Sequence, residues 1–164
     1  MQTNSDIEID TTGWHPSLIR LYRYWTRIHP PGAALLPARR HFDPVEVPDL
    51  LPGIWLLDVQ QSPFRLRYRL AGTGIVDAIG HEVTGLWFDE AHRTIGQDAD
   101  LMRSLRLAVC DALPQRQKGK PRLWSHHEFA LVENLLLPLA GDGRRVDMLC
   151  AYTVLYRPDG SAAF

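Results

Sequence analysis

The most constraining feature of the sequence is an alternation of apolar and charged residues over 64–70, FRLRYRL. Alternate residues of a β-strand point to opposite faces, so this run predicts a strand with one face on a core and the other in water. The apolar run 54–59, IWLLDV, precedes it across the turn sequence QQSP, which predicts a β-hairpin. A strand with one wet face is typical of an antiparallel sheet. The apolar face comprises Phe64, Leu66, Tyr68 and Leu70, and the charged face Arg65, Arg67 and Arg69.

A glycine-rich stretch over 70–85, LAGTGIVDAIGHEVTG, follows this strand. A dinucleotide-binding loop needs glycine at its first, third and sixth positions, but counting from Gly72 the sixth position is Asp77. A carboxylate at that position would repel a pyrophosphate, and the sequence contains no GKS or GKT triplet. The glycines therefore indicate tight turns around short helices and not a phosphate site.

An amphipathic helix is predicted over 14–29, where Pro16 suits the first turn and Pro30 enforces the end. Its apolar stripe has two interpretations. It either lies on the core of the same chain or forms a partner or dimer surface. The residues named for that surface are Leu18, Tyr22, Trp25 and Ile28.

A second, clearer helix is predicted over 98–113, with Asp98 or Asp100 at its start. The sequence QRQKGKP breaks it, and three strands are predicted after the break, over 122–130, 132–140 and 145–156. The turn AGDGRR joins the last two. The apolar stripe of the helix comprises Leu101, Leu105, Ala108, Val109 and Ala112.

Composition sets limits on the class of protein. The 164 residues carry 18 basic and 19 acidic side chains, a net charge of −1, so nucleic acid is not an expected partner. Neither a signal peptide nor an apolar run of membrane-spanning length is present, which predicts a cytoplasmic protein that does not bind a membrane. The expected organisation is a flexible leader (1–13), a helix with a proline-rich connector (14–52), one domain (53–157) and a tail (158–164).

The predicted order of elements is ββαααβββ, with YRLAGTGIVDAIGHEVTGLWFDE at its centre. In that order, and in the turn GHEVTG, the chain resembles a PAS domain over about residues 14–157. More narrowly, it resembles the stand-alone PAS-like family of alphaproteobacteria, once known only as a domain of unknown function. The resemblance implies an α+β fold: a five-stranded antiparallel sheet with helices on one face, preceded by an N-terminal amphipathic helix. Further matching segments are LPARRHFDP, LPGIWLLDV, LLLPLAGDG and VDMLCAYTVLY.

The resemblance also implies a function. PAS domains are typically non-enzymatic sensory or regulatory modules that hold a small molecule between sheet and helices and relay its state to a protein partner, often as homodimers. The alternative is that the aromatic residues of this region only fill the core. By strand parity and position, the candidate cavity comprises Trp55, Tyr68, Leu70, Ile75, Phe88, Trp124, His126 and Glu128.

No cofactor is expected. A haem-binding PAS domain usually supplies a histidine from its long helix, yet residues 98–113 contain none, and His92 is predicted to be solvated or to cap a helix. The flavin-adduct branch needs an Asn-Cys-Arg-Phe motif, which neither Cys110 nor Cys150 has. The sequence SHHE at 125–128 offers two ligands on one strand face, too few for a metal site.

Two further functions remain open alternatives. The same cavity could serve a small enzyme with Glu128 or Asp89 as general base. Nucleic-acid binding is the lower alternative, because three arginines on one strand face are usually only a solvated surface. The arginines concerned are Arg65, Arg67 and Arg69, helped by Arg39 and Arg40.

Overall fold

A computed structural model describes residues 9–32, 35–93, 98–123 and 128–163. The helices are α1 (Pro16–Arg27), α2 (Thr73–Ile79), α3 (Phe88–Ala91) and α4 (Ala99–Cys110). The strands are β1 (Ile54–Gln61), β2 (Phe64–Ala71), β3 (Gln115–Gly119), β4 (Leu131–Leu139) and β5 (Met148–Tyr156). Three short 3₁₀ turns, Arg39–His41, Pro44–Glu46 and Pro48–Gly53, fill the connector between α1 and β1.

The strands form one five-stranded sheet in the order β2-β1-β5-β4-β3, and every neighbouring pair is antiparallel. This confirms the predicted fold class, an α+β architecture with an N-terminal helix. The predicted β1–β2 hairpin and the two last strands are also present. Helices α2, α3 and α4 contribute residues to the core on one side of the sheet, which we call the inner face.

On the opposite side of the sheet, the outer face, α1 and the connector pack against β4, β5 and the start of β1. Leu18, Leu21 and Trp25 pack there against alternate residues of β4 and β5, and the Trp25 indole N–H donates to the Pro138 carbonyl at 3.0 Å. The apolar stripe therefore lies on the chain's own core. Leu18 and Trp25 are buried, so the predicted partner surface is wrong for these two residues, while Tyr22 and Ile28 are half-buried beside them.

The alternation that predicted β2 breaks at its end. The register between β1 and β2 shifts so that Leu57 faces Tyr68 while Leu56 faces Leu70, which leaves Arg69 as an extra residue. Beyond this bulge the side chains change faces, and Leu70 is 42% exposed while Ala71 packs on the inner core. The prediction that Leu70 points inward with Tyr68 is therefore wrong.

The third strand was predicted in the wrong place. It is β3, over Gln115–Gly119, and not 122–130. Its sequence, QRQKG, has no apolar residue to mark it as a strand, and it lies at the edge of the sheet, paired only with β4 among the named strands. Glu128 consequently lies in an exposed turn and not on an inward strand face. Trp124 and His126 lie outside the described residues.

The glycine stretch protects the other edge of the sheet. Tyr68 of β2 donates its N–H to Leu86 at 2.9 Å and accepts from the Gly85 N–H at 2.7 Å. Gly80 and Gly85 have φ of 93° and 88°, a left-handed backbone that favours glycine. A Cβ on Gly72 would lie 2.2 Å from the Leu51 carbonyl oxygen. Gly80 and Gly85 thus serve turns, as predicted, while Gly72 allows a close backbone approach that was not predicted.

The long helix α4 also matches its prediction. The Asp98 side chain accepts from the Leu101 N–H and caps the helix, and four of the five predicted stripe residues are buried on the inner face. Ala112 follows the helix and is half-buried against the same core. Among the described residues, no helix has the length and hydropathy needed to cross a bilayer.

Candidate functional site

Four rings lie together on the inner face of the sheet. Trp55 from β1 stacks on Phe88 of α3 with ring centroids 6.0 Å apart and an interplanar angle of 7°. Tyr68 from β2 is 5.5 Å from Phe88, and His92, just after α3, is 4.9 Å from it. Ile75 of α2 is fully buried in the same core. The structure thus brings together four of the predicted cavity residues.

The imidazole of His92 adds a titratable group that was not predicted there. Its Nε2 lies 2.7 Å from the Tyr68 hydroxyl, and only 6% of His92 is exposed. Burial lowers the pKa of His92 to about 4, with a smaller contribution from His81, and burial raises the pKa of Tyr68. The pair is therefore a neutral hydrogen bond at neutral pH. The prediction of a solvated His92 is wrong, because the side chain lies on the core. His92 is nevertheless the C-cap residue of α3, where its backbone N–H donates to the Phe88 carbonyl.

A chain of hydrogen bonds crosses the inner face from one strand to the next. The Trp55 indole N–H donates to the Thr153 hydroxyl at 3.0 Å, and that hydroxyl donates to the Asn134 side-chain oxygen at 2.7 Å. The Asn134 amide then donates to the Gln117 side-chain oxygen at 2.8 Å. These four residues, which we call the polar ladder, come from β1, β5, β4 and β3.

The polar ladder lies in apolar surroundings. Thr153, Asn134 and Gln117 are 0%, 1% and 9% exposed. Within the described residues, every buried side-chain nitrogen and oxygen has a hydrogen-bond partner, so the ladder is satisfied as it stands. Its amide and hydroxyl groups are neutral and can donate as well as accept. A small molecule that entered this core could exchange hydrogen bonds with them without burying a charge.

A different polar cluster lies at one end of the outer face. The Glu133 carboxylate of β4 accepts from the Arg116 guanidinium at 2.8 Å, the Tyr156 hydroxyl at 2.8 Å and the His15 backbone N–H at 3.3 Å. We call Glu133, Arg116 and Tyr156 the outer clamp. Burial alone would raise the pKa of Glu133, but these hydrogen bonds outweigh it and hold the pKa below its usual value. The clamp ties the start of α1 to the sheet.

The polar ladder and the outer clamp lie back to back. On β3, Arg116 belongs to the clamp and its neighbour Gln117 to the ladder, and on β4 the same is true of Glu133 and Asn134. Successive strand residues point to opposite faces, so a movement of β3 against β4 changes both clusters at once. The ladder was not predicted from the sequence. The signal that could have found it is a polar residue inside an otherwise apolar strand, as at Asn134 and Thr153.

The carboxylates and arginines named for the alternative functions lie on the surface. Asp89 is exposed, and its hydrogen bond from Arg65 lowers its pKa. Glu128 is also exposed, so neither carboxylate faces the inner core. Asp89 lies 2.9 Å from Arg65 and Asp58 lies 3.9 Å from Arg69, and these carboxylates offset part of the positive charge of this strand face, while Arg67 donates to the Gly85 carbonyl. In the described part of the chain, no group of three His, Cys, Asp or Glu side chains is placed to hold a metal ion.

The chain was compared with models of protein families. A model described as a PAS domain matches residues 14–153. The matched range begins just before α1 and ends within β5, so it includes the elements on both faces of the sheet. No curated protein and no solved structure matches the chain.

Proposed function

This chain belongs to the PAS domain family, and we propose that it is a non-enzymatic module that binds a small organic molecule on the inner face of its sheet. Domains of this family generally act as sensory or regulatory modules. In the proposed function, the bound molecule changes the hydrogen bonds of the polar ladder. The change reaches α1 through the outer clamp and is read by a protein partner.

The observation that carries the proposal is the polar ladder itself. Aliphatic and aromatic side chains surround it, and a few convergent polar groups in an apolar setting are typical of small-molecule sites. The alternative is that the ladder only joins the strands. The two interpretations differ in what a ligand does, because a purely structural ladder responds to no small molecule.

The path to α1 is supported by the adjacency of the two clusters. A ligand that takes a hydrogen bond from Gln117 or Asn134 alters how β3 lies against β4. Arg116 and Glu133, which come just before Gln117 and Asn134 on those strands, form the ion pair of the clamp at 2.8 Å. The His15 N–H that Glu133 accepts belongs to the N-cap residue of α1, so weakening the clamp frees the start of this helix.

A melting screen tests the ligand. A metabolite library is added to the full chain, and a ligand at about 100 times its dissociation constant raises the melting temperature by about 5–10 °C. Gln117→Leu should lose at least half of that shift, while Leu70→Ser, on the exposed part of β2, should keep it. A library without a stabilising compound, or equal shifts in all three proteins, contradicts the proposal. Chemical conversion of a stabilising compound contradicts its non-enzymatic part.

Two further parts of the proposal have simple tests. We expect neither haem nor a flavin adduct, so an absorption spectrum of the purified protein with a Soret or flavin band overturns that expectation.

We also expect a homodimer. Light scattering of the full chain should give twice the mass of one chain, and a monomer mass at high protein concentration contradicts the dimer.

A further inference from the structure

Four exposed arginines lie together where the connector meets the β4–β5 turn. Arg39 and Arg40 form part of the first 3₁₀ turn, and Arg144 and Arg145 follow Gly143 in the turn between the strands. Leu36 donates its N–H to the Gly143 carbonyl at 2.8 Å, and Arg40 reaches the Gly141 carbonyl at 2.9 Å. The two segments thus form one surface, which we call the basic turn surface.

The two carboxylates within this region are used to build the turn. Asp142 accepts from the backbone N–H groups of Arg144 and Arg145, at 2.8 Å each. Asp147 accepts from the Gly141 N–H at 3.0 Å. These N–H bonds, with a smaller effect of the Arg145 charge, lower the pKa of Asp142. Four guanidinium groups therefore outnumber two carboxylates that are already engaged with the backbone.

Among the described residues, some arginines elsewhere in the chain pair with carboxylates, whereas others, such as Arg23 and Arg103, do not. Arg20 and Arg27 of α1 pair with Asp49 and Glu46 of the connector, and Arg65 of β2 pairs with Asp89. In the described residues, none of the four arginines of the basic turn surface has a carboxylate oxygen within 4.0 Å. Positive charge is thus left unpaired at one end of the sheet, on a chain whose net charge is −1.

We propose that the basic turn surface docks an acidic segment of a protein partner. Arginine binds carboxylates through paired N–H donors, and its planar fork loses less entropy per hydrogen bond than a lysine ammonium does. The exposed large apolar residues of the described chain, Val45, Leu70, Leu86 and Leu113, all lie outside the two segments, which disfavours a membrane surface. Neither segment has an exposed aromatic residue to stack on bases, which disfavours single-stranded nucleic acid.

The proposal rests on the regulatory function only in that the partner is a protein, because docking at this surface needs no ligand on the inner face. A failure of docking would leave the melting screen unaffected, and a failure of the screen would leave docking unaffected. The two proposals are therefore tested separately.

The test measures binding of a fluorescent Glu- and Asp-rich peptide to the full chain by anisotropy, at low salt. The double variant Arg144→Glu/Arg145→Glu should bind roughly ten-fold more weakly or worse. The control Arg23→Glu/Arg103→Glu changes two exposed arginines elsewhere by the same total charge and should bind as the wild type does. Arg144→Gln/Arg145→Gln, which only removes charge, should lose affinity as well if the first variant fails to fold.

Vesicles containing phosphatidylserine and an oligo(dT) strand are tested in parallel. Peptide binding that depends on Arg144 and Arg145, with no such dependence for vesicles or oligonucleotide, supports the proposal. Equal peptide affinities in the wild type, the two charge-reversed proteins and the glutamine variant overturn it. Binding of vesicles or oligonucleotide through these arginines without peptide binding overturns it too.

Discussion

The two faces of the sheet hold their buried polar groups in opposite ways. On the inner face, the polar ladder runs across four strands and consists of neutral side chains. On the outer face, polar contacts concentrate at one end, where the charged pair of Arg116 and Glu133 lies under the start of α1. Elsewhere on that face, β4, β5 and the start of β1 supply apolar residues that pack with α1 and the connector, whereas β2 presents Arg65, Arg67 and Arg69.

The two arrangements of polar groups suit different tasks. Neutral amides and hydroxyls can change partners at small cost, which suits a surface that exchanges hydrogen bonds with a ligand. A buried carboxylate without its cation is costly, so the outer clamp specifies one position for α1. One face is adaptable and the other is fixed, and adjacent residues of β3 and β4 connect them.

Of the two polar clusters, the ladder should show the larger effect when it is broken in its middle. Asn134→Leu removes a donor and an acceptor at once and leaves the groups of Thr153 and Gln117 without that partner. We expect a loss of about 3 kcal/mol in the free energy of unfolding, measured by urea denaturation. Leu136→Met, two residues along the same face of β4, conserves volume and should cost under about 1.5 kcal/mol. Equal costs for the two variants would show that the ladder contributes little.

Breaking the outer clamp should cost somewhat less. Glu133→Gln keeps the shape of the side chain but removes the carboxylate charge that pairs with Arg116. The Arg116 side chain is 27% exposed, so water can solvate part of its guanidinium after the change. We expect about 2 kcal/mol of destabilisation. The matched control is Glu46→Gln, which breaks the exposed ion pair with Arg27 and should cost less than about 0.5 kcal/mol. If both variants cost the same, the clamp is no different from a surface pair.

Titratable groups on the two faces should affect the stability of the protein at different pH values. The folded pKa of His92, about 4, lies below its ordinary value of 6.5, so the unfolded chain takes up a proton first as pH falls. The contribution of His92 to the free energy of unfolding is present above pH 6.5 and is lost as the pH falls from 6.5 to 4. At pH 5 this loss amounts to about 2 kcal/mol. Glu133, whose pKa lies below 4.5, affects stability only at lower pH.

His92→Gln tests this assignment, because glutamine keeps a hydrogen-bonding group near Tyr68 and does not titrate. Urea denaturation between pH 7 and pH 5 should show a shallower loss of stability in the variant than in the wild type. Identical pH dependence in the two proteins would mean that another group is responsible.

The smallest effect is expected at the bulge of β2. Leu70→Ser changes a side chain that is 42% exposed and should alter stability by less than about 0.5 kcal/mol. Leu66→Ala, on the buried part of the same strand, should cost about 2–4 kcal/mol. A large cost at Leu70 would mean that the strand keeps its alternation to the end.

Strong periodicity predicted the fold well, and its interruptions explain the errors. The hairpin, α4 and the inward Tyr68 follow from patterns of period two or 3.6. Leu70 was misplaced because a one-residue bulge is invisible in an alternating sequence. The polar edge strand β3 has no apolar signal, so the strand was assigned to 122–130 instead. His92 was missed because its burial depends on how α3 folds back onto Tyr68, a contact between segments distant in sequence.

The link between the two faces can be measured most directly by native-state hydrogen exchange in Gln117→Leu. Residue 117 belongs to the ladder, whereas the amides of His15 and Ser17 report on the start of α1. We predict that protection at these two amides falls more than protection in α4. Unchanged protection at the start of α1, or a loss equal to that in α4, would contradict the claim that the inner face is connected to the helix.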